Sequence, residues 1–237
     1  MSKYPEDAIQ TLVTGDWWLP DAAKTICRGA LVQAYVQFFS QVPFELITTR
    51  IDPADHNTAF HKMQPLYTAG RRSGTPSLPV AAMPQLNGAD CFIANRAKRR
   101  PCLVLGAVER KNVDPRLVVG MVKDSTHDFF LVAPYYSVAQ EARSGYNPEF
   151  VERIRHAEYS RYFWDSLPHS RGHETILRFD QIQPVGFHHQ AHEHLGYKLS
   201  PGALALTDEW LNWMLHGKDG DNLRFFRDLI KNIEAGS

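Results

Sequence analysis

Three cysteines in 237 residues, no apolar run approaching the ~18 residues a membrane helix needs, and no net charge narrow the chain before any motif is weighed. Cys27, Cys91 and Cys102 are odd in number and lack metal-ligand spacing, which argues against a disulfide framework and reads as buried thiols. Lys plus Arg equals Asp plus Glu at 26 each, so the overall balance gives no electrostatic argument for a polyanionic partner. The amino terminus lacks the charged-then-apolar layout of a signal peptide, and the expectation is a soluble, cytoplasmic protein with no membrane association. A Gly-x-Ser-x-Gly elbow, a phosphate loop ending in Gly-Lys-Ser/Thr and a dinucleotide fingerprint are all missing.

What is present is a large apolar content, 43% hydrophobic with 11% aromatic, enough to bury a sizeable core. Charge is unevenly spread: residues 61 to 178 hold 17 basic and 11 acidic side chains, so a basic surface can exist on a neutral protein. Asp21 to Lys24 reads as the opening of a short helix, whereas Ala30 to Val36 and Phe44 to Thr49 read as extended. Residues 68 to 88 mix glycines with three prolines and form the candidate linker. Beyond it, Cys91 to Ala94, Cys102 to Leu105, Leu117 to Val122 and Phe129 to Ala133 are short apolar runs separated by polar turns. Such spacing predicts a small, strongly curved antiparallel sheet or barrel.

Asn147 before Pro148 reads as a cap and first helical residue, with Phe150, Val151, Ile154 and Ala157 continuing at helical spacing. The helix continues toward Tyr162 and Trp164 and carries Arg153, Arg155 and Arg161 beside Tyr159 and Tyr162. Cations interleaved with rings can track a single strand of nucleic acid, the cations meeting phosphates and the rings stacking bases. The stripe also reads as core on one face and solvated charge on the other. Near the carboxyl end, Ser200-Pro201 and Gly217 bound one helix, and Asp221 opens another in which Leu223, Phe226, Ile230 and Ile233 recur.

Ile176 to Ile182 reads as a strand that places Arg178 and Asp180 on one face, about 6.5 Å apart along the backbone. A carboxylate and a guanidinium at that separation can flank a phosphodiester, one accepting a proton and the other neutralising charge. An ordinary strand-surface salt bridge is the alternative. His188, His189, His192 and His194 crowd one short segment, but with glycines at 186 and 196 it reads as a loop, and no metal or cofactor is expected there.

Gly88-Ala89-Asp90-Cys91-Phe92-Ile93, Arg99-Arg100-Pro101-Cys102-Leu103-Val104-Leu105, Leu131 to Ser137, and Arg178-Phe179-Asp180-Gln181-Ile182 occur in the order found in MazF/PemK-like toxins, which the chain resembles over about residues 86 to 217. The resemblance implies an α+β, mainly β fold: a small SH3-like antiparallel barrel with packed C-terminal helices and a helical insertion at 140 to 172. Residues 1 to 85 would be an N-terminal extension packing on or extending that barrel, and residues 86 to 237 the barrel domain itself. It implies a homodimer that cleaves single-stranded RNA without a metal, with an antitoxin protein as a further partner. By position, Arg100 is the arginine before proline, and Arg178 with Asp180 matches the last strand. Tyr136 stands where the family commonly has threonine, which leaves Ser137 as the small hydroxyl. The candidate catalytic set is therefore Arg100, Arg178, Asp180 and Ser137, and the candidate RNA contacts are Arg99, Tyr136, Arg153 and Arg155. A non-catalytic module holding nucleic acid or protein on the same barrel is the rival reading.

Overall fold

The computed structural model describes residues 4–39, 41–50, 52, 54–55, 59–66, 91–108, 128–139, 145–169, 173–188 and 190–235. Its strands are β1 (Trp18–Pro20), β2 (Ala30–Gln37), β3 (Phe44–Thr49), β4 (Phe60–Pro65), β5 (Phe92–Ala94), β6 (Ala97–Val108), β7 (Phe129–Ser137), β8 (Tyr162–Ser166), β9 (Glu174–Arg178), β10 (Gln183–Gly186) and β11 (His192–Leu199). Three α-helices are described: α1 (Pro148–Arg155), α2 (Pro201–His216) and α3 (Asp221–Ala235). The extended runs expected at 30–36, 44–49, 91–94, 102–105 and 129–133 fall on strands, apart from Cys91, which precedes β5. Leu117 to Val122, the linker at 68 to 88 and the boundary at 85/86 lie outside the described residues. Asp21 to Lys24 forms a turn rather than a helix, with Asp21 N–H bonded to Gly196 O, which ties the segment to β11 instead of to itself. Cys102 is buried as expected, whereas Cys27 and Cys91 are half-buried.

The chain forms two compact units, residues 1–35 with 99–237, and residues 36–98. In the smaller unit, β3 is the centre of a three-stranded antiparallel sheet in the order β4-β3-β5. In the larger unit the strand order is β1-β11-β2-β6-β7-β9-β8, with β10 also on β7, in a mainly antiparallel, strongly curled sheet. Two irregularities favour that curl. Leu105 is an extra residue between Val104 and Gly106, and three residues of β11 stand between its partners for Val32 and Ala30. Bulges of this kind bend a strand and increase its twist.

Where the sheet is covered on both faces, the period-two pattern disappears. Leu177, Tyr135, Phe163 and Leu103 face a core closed by Leu206 and Trp210 of α2 and Leu223 and Ile230 of α3. Their neighbours Ile176 and Trp164 face the other way, against Val151 and Ile154 of α1. The Ser200 hydroxyl accepts from Ala203 N–H at the start of α2, and Gly217 ends it in the left-handed conformation at φ 72°. Asn147 caps α1 through Glu149 N–H at 2.9 Å. Trp210 is 1% exposed, meets Phe163 edge-on at 4.9 Å and donates to Ser160 O at 3.0 Å. Trp210→Ala is expected to cost about 3–5 kcal/mol in urea unfolding, through the cavity it leaves and the orphaned carbonyl.

One buried histidine beside a carboxylate predicts how stability varies with pH; it and His192 lie on β11 and not in the loop expected between the glycines at 186 and 196. The side chains of His194 and Asp21 are 5% and 6% exposed and approach to 3.3 Å between Nε2 and Oδ2. Gly196 N–H donates to His194 Nδ1 at 2.8 Å, so the neutral ring carries its proton on Nε2. Burial holds the His194 imidazole below its ordinary value against the pull of Asp21, and burial does the same to His192. The folded protein then binds fewer protons than the unfolded chain below about pH 6.5, so stability is complete above that pH and is lost as pH falls. Thermal midpoints should drop between pH 7.5 and 5.5. His194→Asn, which keeps an acceptor for Gly196, should show a smaller drop; an equal drop would refute the assignment.

Candidate functional site

The site grows out of an interruption in the ladder on one edge of β7. Leu177 pairs with Tyr135 and Gln183 with Val132, so the five residues 178–182 lie opposite only Ala133 and Pro134. Val138 N–H donates to Glu174 O, which turns the even-numbered amides of this part of β7 toward β9. Pro134 occupies such a position and has no N–H to give. The chain bulges there: β9 ends at Arg178, and Phe179–Gln181 makes a 3-10 turn before β10 resumes the pairing. The continuous strand expected from 176 to 182 is thus corrected to a strand, a turn and a second strand. Phe179 is buried in the main core, which anchors the turn from below.

The turn brings Asp180 back onto Arg178. Arg178 donates from Nε to Oδ1 at 2.7 Å and from an Nη to Oδ2 at 2.6 Å, a bidentate pair. The Asp180 hydrogen bond raises the Arg178 guanidinium further above its ordinary value, so Arg178 remains a cation. The guanidinium carbon of Arg178 lies 5.6 Å from the centre of the Tyr136 ring and 5.0 Å from that of Tyr162. Arg100, from β6 on the other side of β7, stacks on Tyr136 at 3.8 Å. Two guanidiniums therefore meet around one ring, whose negative π-face offsets part of their mutual repulsion. Tyr136 is 8% exposed and donates its hydroxyl to Gln181 Oε1, which fixes the ring from the bulge. Burial pushes the Tyr136 phenol up against the opposing pull of Arg100 and Arg178. It stays neutral and a donor.

The remaining candidates fall elsewhere. Ser137 is exposed and gives its hydroxyl to Ala139 O, and alternation along β7 directs it away from the Tyr136 face. Arg99 pairs with Glu193 beside a cavity of about 390 Å³ that also involves Gln33, Tyr35 and His192. Arg155 binds Asp7 at 2.7 Å, and His156 shares the same carboxylate at 2.8 Å. Burial alone would raise the Asp7 carboxyl, but the bond from His156 and the charge of Arg155 hold it below its ordinary value. Arg153 pairs with Glu158 at 2.7 Å and lies over Tyr159 at 5.2 Å, on the same side of the sheet as the Tyr162 contact to Arg178. The structure thus brings Arg100, Tyr136, Arg178 and Asp180 together and leaves Ser137, Arg99 and Arg155 outside that cluster.

Gln181 takes part without having been singled out as a site residue by the sequence; Tyr162, expected on one helix with Arg153, lies instead on β8, because α1 ends at Arg155. Among the described residues, no group of three or more His, Cys, Asp and Glu side chains is arranged to hold a metal ion. Among them also, no helix is long and apolar enough to cross a membrane. No family model, curated protein or solved structure matches the chain.

Proposed function

We propose that the chain binds single-stranded RNA at the Arg100, Tyr136, Arg178 and Asp180 cluster and cleaves it without a metal, as a MazF/PemK-like endoribonuclease acting in the manner of a toxin. The observation that carries this reading is the convergence of two guanidiniums from separate strands on Tyr136, with a carboxylate held beside one of them. Two fixed cations suit a phosphodiester, whose charge grows at the nonbridging oxygens as a fifth bond to phosphorus forms. In the proposed step the ribose 2′-oxygen attacks the adjacent phosphorus and the bond to the 5′-oxygen breaks. The hydroxyl proton passes to Asp180, and the leaving 5′-oxygen takes one from solvent. A carboxylate offers about four acceptor positions, of which Arg178 uses two, so Asp180 keeps room for that proton.

A specific observation also favours a second reading, in which the surface binds RNA or protein without cutting it. Both oxygens of Asp180 are engaged by Arg178, which suits a rigid binding surface as well as a base. Incubation of the purified chain with mixed single-stranded RNA in excess chelator separates the two. New 2′,3′-cyclic phosphate ends support the enzyme; retention of intact RNA supports the binding module. A second copy of the chain and an antitoxin partner belong to the enzyme reading and stand or fall with it.

A further inference from the structure

Beside the guanidinium cluster, the segment from Tyr146 to Tyr162 carries four rings that touch one another while staying partly exposed: Tyr146, Phe150, Tyr159 and Tyr162. Phe150 stands at the centre, with ring centroids 6.0 Å from Tyr146, 5.3 Å from Tyr159 and 5.6 Å from Tyr162. Tyr159 and Tyr162 are 6.0 Å apart and meet edge to face. At one end Tyr162 lies against Arg178, and at the other Tyr159 lies against Arg153.

Following contacts outward from β6 gives a track of cations and rings: Arg100, Tyr136, Arg178, Tyr162, Tyr159 and Arg153, each beside the next. It crosses β6, β7, β9, β8 and α1 on one side of the sheet. The anchoring of α1 is already accounted for by Val151, Ile154, Trp164 and Ile176, all buried. The four rings pack against the edge of that buried set while staying partly exposed, and three of them carry a polar hydroxyl edge that suits partial exposure to water. Cations spaced by partly exposed rings are what an unpaired nucleic-acid strand uses, phosphates on the first and base faces on the second.

We infer that the Tyr146, Phe150, Tyr159 and Tyr162 cluster is a stacking shelf for unpaired RNA bases, continuing the strand away from the phosphate held between Arg100 and Arg178. The inference rests on the preceding reading for the identity of the ligand, and it adds where the neighbouring nucleotides go and what selects them. Every base has a π-face, so the shelf favours any unpaired base over none and discriminates weakly among sequences. Duplex RNA, with its bases already stacked on each other, is disfavoured.

Fluorescence anisotropy with two ten-nucleotide 2′-O-methyl strands tests this, one of adenylates and one with abasic residues, neither of which can be cleaved through a 2′-hydroxyl. The wild type is expected to bind the adenylate strand about tenfold more tightly than the abasic one, the lower range for one stacked base. Tyr146→Leu with Tyr159→Leu keeps apolar filling and should erase that preference while leaving abasic binding in place. Tyr159→Phe alone keeps the ring and should retain the preference, which separates stacking from a folding defect. Arg100→Ala with Arg178→Ala should weaken both strands together. If the wild type fails to distinguish the strands, or the double leucine variant still does, the shelf is wrong while the phosphate site stands on the arginine result. If neither strand binds, the RNA reading fails and the shelf with it, and the exposed rings pass to a protein partner.

Discussion

Asp165→Ala is expected to lower the stability of the larger unit by about 3–5 kcal/mol, a large share of the roughly 5–15 kcal/mol that holds an ordinary chain folded. Asp165 is 0% exposed. Its Oδ1 accepts from the Tyr4 hydroxyl at 3.2 Å, and its Oδ2 from Trp18 Nε1 at 3.1 Å and the Tyr135 hydroxyl at 3.3 Å. Removing the carboxylate takes the acceptor from Trp18 and Tyr135, whereas the Tyr4 hydroxyl keeps Ser166 O at 3.5 Å; the Trp18 indole has nothing else to offer than its N–H. Burial, with Asp165 adding to it, holds the Tyr4 and Tyr135 phenols well above their ordinary values, so both remain donors throughout the working range. Asp165→Asn presents an oxygen to Trp18 and Tyr135 and an amino group to Tyr4, whose hydroxyl can turn to accept. Its cost should be nearer 1 kcal/mol. Urea unfolding of the two variants checks the argument, and equal losses would show that the hydrogen bonds are not what Asp165 contributes.

The second large effect belongs to the chemistry. Asp180→Asn is expected to lower RNA cleavage by about 10²–10⁴, the usual share of a positioned general base. Binding of a 2′-O-methyl strand should hold or tighten, because a negative charge beside the phosphate has gone while Arg178 keeps a neutral acceptor. The thermal midpoint should move little, since Asn keeps the size of Asp and its amide oxygen still accepts from Arg178. Cleavage unchanged in this variant removes Asp180 from the reaction. Cleavage and binding lost together would instead make it a scaffold for Arg178.

Much of this was legible in the sequence, and what was not has a common cause. The strand runs announced themselves through apolar residues between polar turns, and Asn147-Pro148 and Ser200-Pro201 marked helix starts through the chemistry of their caps. Arg178 and Asp180 were visible as neighbours, yet their pairing comes from a 3-10 turn and not from a flat strand. That turn depends on setting 178–182 against Ala133 and Pro134, a register that local periodicity cannot supply. Tyr136 reads in the chain as a misplaced threonine; only the lateral neighbours β6 and β9 make it the ring between two cations. Arg155 and Arg99 looked like free cations for the same reason. Their carboxylate partners, Asp7 and Glu193, lie 148 and 94 positions away.

The salt dependence of RNA binding addresses most directly whether Arg100 and Arg178 hold phosphates of one strand. Anisotropy titrations of the 2′-O-methyl adenylate strand across a series of salt concentrations give the slope of log K against log salt. Each of Arg100→Gln and Arg178→Gln should flatten that slope by about 0.7, one phosphate contact on a single strand, and weaken binding at low salt. Slopes and affinities that match the wild type in both variants, with folding intact, would contradict the account.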